Sequence, residues 1–400
     1  MYQRDKQFYD LVAKGLASLG YTGNGALQAY IQDMFAIKYN AEAIYSQMGF
    51  PINPNVPINP TYEQIEGALR VYTMATYVDI DSDGPTKSTD GVTLKQGGLP
   101  IFKHEVVLSR KTIKEKMMLA DAIGGSTSDI ESVIMELLFS GLDDLLGGNY
   151  NTMRYQRHQI VSNFGKLDIN ANNNPLGTPM TIDFSVPAKN KKTSKWFTID
   201  ANGNVTQDAD VGVSVDPIKI MKDTKRNAED NDFAPQGHWE VNKATFDAFI
   251  ELPYIRTMYS VAVRPDITDA GNQLAFANMQ ADSTIKSWIE ARIGARIDVI
   301  DAISSIEKFD KANKISYTNV RSFNNGVFVY VPDGAIGDVQ FGKPIYMETP
   351  GARVALYDGG RTLIRQVFND ETMTQVVKSE VTGLVVPNKT RWFYYLTVQG

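Results

Sequence analysis

The sequence predicts an α+β fold, and three observations predict it. Apolar residues alternate with period two over residues 70–80 and 101–112 and again beyond residue 297, they recur at three-and-four spacing from Ile130 to Leu146, and the helices and strands between follow no regular alternation. A chain of 400 residues with 43% apolar and 22% charged content can bury a substantial core, and about 150 residues per domain gives two or three domains.

From the N-terminus, Leu11 to Met48 carries apolar residues at mixed spacing, broken by Gly20, Gly23 and Gly25, and reads as one or two short helices. Pro51-Ile52-Asn53-Pro54 then repeats as Pro57-Ile58-Asn59-Pro60. Prolines so spaced favour an extended path, either an arm reaching away from its own domain or an interdomain loop. Arg70 to Ile80 aligns Tyr72, Met74, Thr76 and Val78 on one face, and Ile101 to Thr112 aligns Phe102, His104, Val106 and Leu108. Joined through a polar tip from Asp81 to Pro100, the two predict an extended hairpin, too exposed to hold by itself and therefore laid on a neighbour.

Ser126 or Ser128 caps the clearest helix, which sets Ile130, Val133, Ile134, Leu137, Leu138, Leu142, Leu145 and Leu146 on one stripe. Gly147 and Gly148 interrupt it; helical character resumes from Tyr150 to Phe164, carries Arg154, Arg157 and His158, and stops at Gly165. Strands are predicted at Leu167–Asn170, Met180–Val186 and Trp196–Asp200, with Asn202-Gly203 as a hairpin signal. Helices return over Pro217–Ala228, Lys243–Leu252 behind an Asn242 cap, and Thr284–Ile293. Strands follow through Ile297 and Val299, at Val327–Val331, and in a final run to Val398.

The chemistry is sparse. With no cysteine, disulfides, thiolate metal sites and cysteine nucleophiles are excluded. A net charge of -6 argues against a dedicated nucleic-acid binder while fitting a container that must not grip its contents. Met1-Tyr2-Gln3-Arg4-Asp5 opens no signal sequence, and no run of about 18 apolar residues occurs, so a cytosolic, unanchored chain is expected. His104, His158 and His238 have no zinc or triad spacing and are assigned structural roles. Gly20-Tyr21-Thr22-Gly23-Asn24-Gly25 lacks the Lys-Ser or Lys-Thr of a phosphate loop and reads as a turn. Lys189, Lys191, Lys192 and Lys195 read as a solvated loop. Asp79, Asp81, Asp83, Gly84 and Asp90 match the spacing of a calcium loop, but strand-like flanks, Pro85 and the short Asp90 favour an acidic hairpin tip. No catalytic, cofactor or metal residue is assigned.

Three stretches carry a family resemblance. The first is Arg154-Tyr155-Gln156-Arg157-His158-Gln159-Ile160-Val161-Ser162-Asn163-Phe164-Gly165-Lys166-Leu167; the second is Trp196, then Asp216-Pro217-Ile218, then His238-Trp239-Glu240-Val241-Asn242. The third runs from Ile293-Gly294-Ala295-Arg296-Ile297-Asp298 through Phe328-Val329-Tyr330-Val331-Pro332-Asp333-Gly334 to Phe341-Gly342-Lys343-Pro344. In this order, from about Arg70 to the C-terminus, the chain resembles the major capsid proteins of tailed bacteriophages, in the lambda-like head protein branch with the Hong Kong ninety-seven fold. The Pro-repeat segment and the insertion-like hairpin from Lys189 to Asp210 map to no feature of that family.

The resemblance implies an N-terminal arm (1–65), an extended hairpin loop (66–125), a peripheral domain with a long spine helix (126–210), an axial domain (211–365) and a C-terminal return to the peripheral domain (366–400). It also implies no enzymatic activity. The expected role is self-assembly into hexamers and pentamers of an icosahedral head shell, put together in the host cytoplasm, that encloses double-stranded DNA without sequence-specific binding. Scaffolding, portal and decoration proteins are the implied partners, and no cofactor or membrane is involved. As the sequence begins at Met1, a separate scaffold is expected in place of a removed N-terminal segment. The alternatives are an encapsulin-like nanocompartment shell, another virion protein such as a tail tube, and, from a different class, a calcium-dependent or carbohydrate-active enzyme.

Overall fold

A computed structural model describes residues 17, 20–23, 26–33, 40–58, 61–66, 93–108, 118, 127–175, 178–309, 315–344, 352–369 and 374–400, an α+β mixture of helix and strand. The chain opens with α1 (Ala26–Asp33) and α2 (Ala41–Gln47). Asn40 caps α2 by accepting the Ala43 N–H at 3.2 Å, and Tyr45 is buried against Tyr150 with ring centroids 5.5 Å apart. Then come β1 (Thr61–Glu66), β2 (Thr93–Gly98) and β3 (Ile101–Leu108). α3 (Thr127–Ser162) is one helix of 36 residues. The expected break at Gly147-Gly148 does not occur. Glycine inside a helix costs about 1 kcal/mol, but at Gly148 it creates room, since a Cβ there would stand 2.7 Å from His104 Nδ1.

Gly165, at φ +78°, turns the chain into β4 (Lys166–Ile169), which pairs antiparallel with β5 (Met180–Asp183). β6 (Lys191–Ile199) and β7 (Val205–Gln207) form the hairpin signalled by Asn202-Gly203, with Gly203 at φ +86°. α4 (Pro217–Asn231) starts behind an Asp216 cap, β8 (Gly237–Asn242) runs into α5 (Lys243–Ile250), and Asn242 caps that helix as expected. Two helices that the periodicity did not announce follow, α6 (Pro253–Val263) and α7 (Ala270–Asn278). α8 (Asp282–Ile293) ends at Gly294, φ +69°. The remaining strands are β9 (Ile297–Ile300), β10 (Ile303–Phe309), β11 (Ile315–Arg321), β12 (Val327–Pro332), β13 (Gly337–Gly342), β14 (Ala352–Tyr357), β15 (Thr362–Asn369), β16 (Thr374–Pro387) and β17 (Tyr394–Gln399).

The chain divides into two units. One comprises residues 1–63, 96–154 and 338–386, the other 64–95, 155–337 and 387–400. The first holds a sheet in the order β13-β16-β15-β14, with β3 also on β16. The first strand of the expected hairpin, residues 70–80, lies outside the described residues; its second, Ile101–Leu108, pairs antiparallel with β16, Phe102 facing Val381 and Val106 facing Val377. Those apolar pairs point to the buried face, while Lys103–Glu380 (2.8 Å) and Glu105–Lys378 (2.6 Å) lace the other face, so both faces of β3 fix this register. β1 pairs with β2 in a two-stranded sheet.

The Pro-repeat segment also lies on its own unit. Ile52 bridges Val339 in parallel, the Asn53 N–H donates to Val339 O and the Val339 N–H to Pro51 O, each at 2.9 Å, and the Lys343 N–H donates to Pro57 O at 3.0 Å. Proline lacks an N–H but keeps its carbonyl, so Pro51 and Pro57 can serve as acceptors on a strand edge.

In the second unit a sheet runs β7-β6-β17-β12-β8-β9, with β6–β17 and β8–β9 parallel and the other pairs antiparallel. Its core is aromatic. Trp196 packs on Phe249 and Phe328 with centroids 5.3 and 5.4 Å away, and Trp239 packs on Tyr330 at 5.4 Å. The Lys189 cluster thus lies mostly on a strand, not in a loop, because Trp196 and Phe197, both fully buried, anchor β6 in this core.

Candidate functional site at the end of the long helix

The last two turns of α3 carry Arg157, His158, Gln159 and Ser162, all buried. Arg157 offers both terminal nitrogens to the two carboxylate oxygens of Glu240, which stands on β8 between buried Trp239 and Val241. Gln159 Nε2 donates to Ser322 O at 2.8 Å and to Asn324 Oδ1 at 3.1 Å. His158 Nδ1 lies 2.7 Å from Ser322 Oγ, and Ser162 Oγ accepts the Asn324 N–H at 3.0 Å. Asn242, besides capping α5, donates to Phe323 O at 2.8 Å. Four side chains from a helix and a strand therefore clasp the turn 322–324 and satisfy its buried backbone.

Glu240 is the hub. His238 Nε2 lies 3.3 Å from Glu240 Oε1 and 3.6 Å from Asp298 Oδ2, while its Nδ1 is 2.7 Å from Asp333 Oδ1. Arg296 completes the cluster with an ion pair to Asp298 at 2.8 Å. Burial opposes ionisation of Glu240, yet Arg157 and His238 hold its carboxyl well below the usual range. Burial likewise opposes charge on His238, but Glu240, then Asp333 and Asp298, outweigh it and raise the imidazole above its ordinary 6.5. Both oxygens of Glu240 are taken up by cationic partners, an arrangement that clamps α3, β8 and β9.

The three histidines do not form one centre. His104 packs beside Gly148 on β3, His158 faces Ser322, and His238 belongs to the Glu240 cluster. Among the described residues no group of three or more His, Asp or Glu could hold a metal ion. Asp79, Asp81, Asp83, Gly84 and Asp90 lie outside the described residues. Gly20 and Gly23, at φ +92° and +91°, form a turn ahead of α1. The Glu240 cluster was not anticipated, although a carboxylate in the apolar run His238-Trp239-Glu240-Val241 demands a buried cation.

No protein-family model matches the chain, and no curated protein matches it. Among solved structures it is similar to a phage-related protein from Bordetella bronchiseptica RB50, at 11% identity over 92% of this chain and 95% of that one, TM-score 0.44. It is also similar to a chain of the satellite phage P4 procapsid, at 9% identity over 90% and 99%, TM-score 0.41. The capsid of Myoviridae phage XM1 matches at 9% identity over 88% and 90%, TM-score 0.40.

Proposed function

We propose that the chain is a shell-forming structural protein, the major capsid protein of a tailed phage or prophage, which assembles into hexamers and pentamers around double-stranded DNA. The observation that carries the reading is the ribbon β10–β11, paired from Ile303↔Arg321 to Phe309↔Ile315 and to no other strand among the described residues. Ile303 and Tyr317 on it are 49% and 66% exposed. A lone two-stranded ribbon is marginal in water and gains from packing against another chain. A shell provides that other chain at every position, through heterologous contacts between copies. The residue-level resemblance of the helix exit, of β8 and of the β12–β13 region to tailed-phage capsid proteins supports the same reading.

On this reading the Glu240 cluster is a structural clamp, the protein is not an enzyme, and its site of action is the virion capsid. No described helix is long and apolar enough to cross a membrane. Negative-stain microscopy of the overexpressed chain, alone and with a candidate scaffold, tests the proposal. Shells or capsomers are expected, and persistent monomers under both conditions would overturn it.

A further inference from the structure

The first unit holds a second carboxylate largely withdrawn from water, and its surroundings are the reverse of those at Glu240. β14 and β15 are joined by the turn 358–361, where Asp358, Gly359 and Gly360 all take left-handed backbone, at φ +51°, +64° and +89°. The Asp358 side chain is 18% exposed. It lines a small cavity with Tyr45 of α2, Asn149 and Tyr150 of α3, Phe341 of β13 and Thr362 of β15. α2 is seated at this cavity through Tyr45, which is buried and packs its ring 5.5 Å from that of Tyr150 and 6.1 Å from that of Phe341.

Glu240 receives both terminal nitrogens of Arg157 and lies beside His238, whereas Asp358 has a single side-chain partner among the described residues. Arg361 Nη1 donates to Asp358 Oδ1 at 3.3 Å, against about 2.8 Å for a well-made ionic hydrogen bond. The same guanidinium lies over the Phe341 ring, 5.8 Å from its centroid, and its Nε has no partner among the described residues. Burial therefore prevails. It pushes the Asp358 carboxyl up, Arg361 offsets only part of this, and Glu42 in the first turn of α2 adds to it. Burial, then Tyr150 and Asp358, push the Tyr45 hydroxyl up as well, so it stays neutral, and Glu42 and Arg361 are the charged groups facing Asp358 among the described residues. An asparagine would fit the same left-handed backbone with no charge to bury. The hairpin itself has no need of an acid at this position.

We propose that Asp358 makes the seat of α2 a proton-binding latch, which holds this N-terminal helix more firmly when the carboxyl carries a proton. The latch is independent of the shell reading. Its sign follows from linkage: the carboxyl prefers its proton more in the folded chain than in the unfolded one, where the value is 3.8. The cost of the buried charge is absent below 3.8 and complete once pH has risen through the folded value, so the hold on α2 weakens as pH rises.

The test is hydrogen exchange of the full chain, wild type against D358N, at about pH 7 and about pH 4, read as protection factors so that the intrinsic pH dependence of exchange cancels. The reporters are the amides of Ile44 and Met48, which donate to Asn40 O and Ile44 O at 3.0 and 3.2 Å. Amides of β12, in the other unit, are the reference. At about pH 7 both reporters should be several-fold better protected in D358N than in the wild type, and the ratio should fall toward one at about pH 4, with β12 unchanged throughout. Poorer protection in D358N at about pH 7 would overturn the proposal, because the Arg361 ion pair would then be what holds α2. So would a ratio that is the same at both pH values, or a gain shared equally by β12, since neither describes a proton-linked hold on one helix.

Discussion

Replacing Arg157 with alanine removes the guanidinium that engages both oxygens of Glu240. The side chains of Arg157 and Glu240 are 9% and 2% exposed, so water cannot take the missing partner's place. Removing one member of a buried pair costs about 3–5 kcal/mol, because the remaining charge is left in a medium that solvates it poorly. At about 2–4 °C per kcal/mol for a unit of this size, R157A should melt about 10 °C below the wild type. The double variant R157M/E240L removes both charges and keeps most of the volume, so it should stay within about 2 kcal/mol of the wild type. Scanning calorimetry gives both values, and the near-ultraviolet dichroism of Trp239, next to Glu240, reports whether the same region melts. A drop under about 2 °C for R157A, or a double variant as unstable as the single, would show that the clamp reasoning is wrong.

Burial disfavours the charged imidazole of His238, but Glu240 and Asp333 outweigh it and raise its folded pKa above the unfolded value of 6.5. The stabilisation is complete below pH 6.5 and is lost as pH rises through the folded pKa. The Tm gap between wild type and H238N should therefore be widest in mild acid and close on the alkaline side; a gap that widens with pH would reverse the assignment. Gly237 faces Pro332 across the β8–β12 pairing, and a Cβ there would sit 2.2 Å from Val331 O. G237A should cost about 3 kcal/mol, since a backbone carbonyl in a ladder cannot swing aside; urea unfolding with an unchanged midpoint would contradict this. Arg256 is buried and donates to Ile250 O, Ala277 O and Asp282 Oδ1, which ties α5, α7 and α8 together. R256K should recover only part of what R256A loses, because an ammonium cannot span three acceptors in a plane, and equal melting of the two variants would refute the planar-fork argument.

What could be read from the sequence was local. Asn242 announced α5 because a cap acts within three residues, and Gly165 announced the end of α3 because a positive φ is a single-residue property. α6 escaped because Leu252, its N-terminal neighbour, has no capping side chain, so Lys243–Leu252 read as a single helix. α7 does have a cap, Asp269 accepting the Asn272 N–H at 2.9 Å, but its Ala-Gly-Asn-Gln opening carries no apolar period. Long-range pairing was out of reach for a different reason. Alternation in Ile101–Leu108 says that one face is buried, not against what, and the partner β16 lies at the far end of the chain. The hub at Glu240 sits between these cases: the misplaced charge was visible and its partner on α3 was not.

The Pro-repeat segment changes where a shell would have to find its intersubunit burial. An arm that spends its backbone hydrogen bonds on Val339 and Lys343 of its own unit has few left to offer a neighbour between residues 51 and 57. The base of β1 is engaged as well, since Gln340 accepts the Glu63 N–H at 2.8 Å and donates to Glu63 O at 2.6 Å. The β10–β11 ribbon has no comparable strand partner among the described residues. If copies of this chain associate, covering Ile303 and Tyr317 removes apolar area from water, at roughly 25 cal/mol per Å². Charging them with I303K/Y317K leaves the buried cores untouched and should abolish assembly while the Tm of the unassembled chain stays within about 2 °C of the wild type. Shells forming normally from that variant would move the essential interface elsewhere.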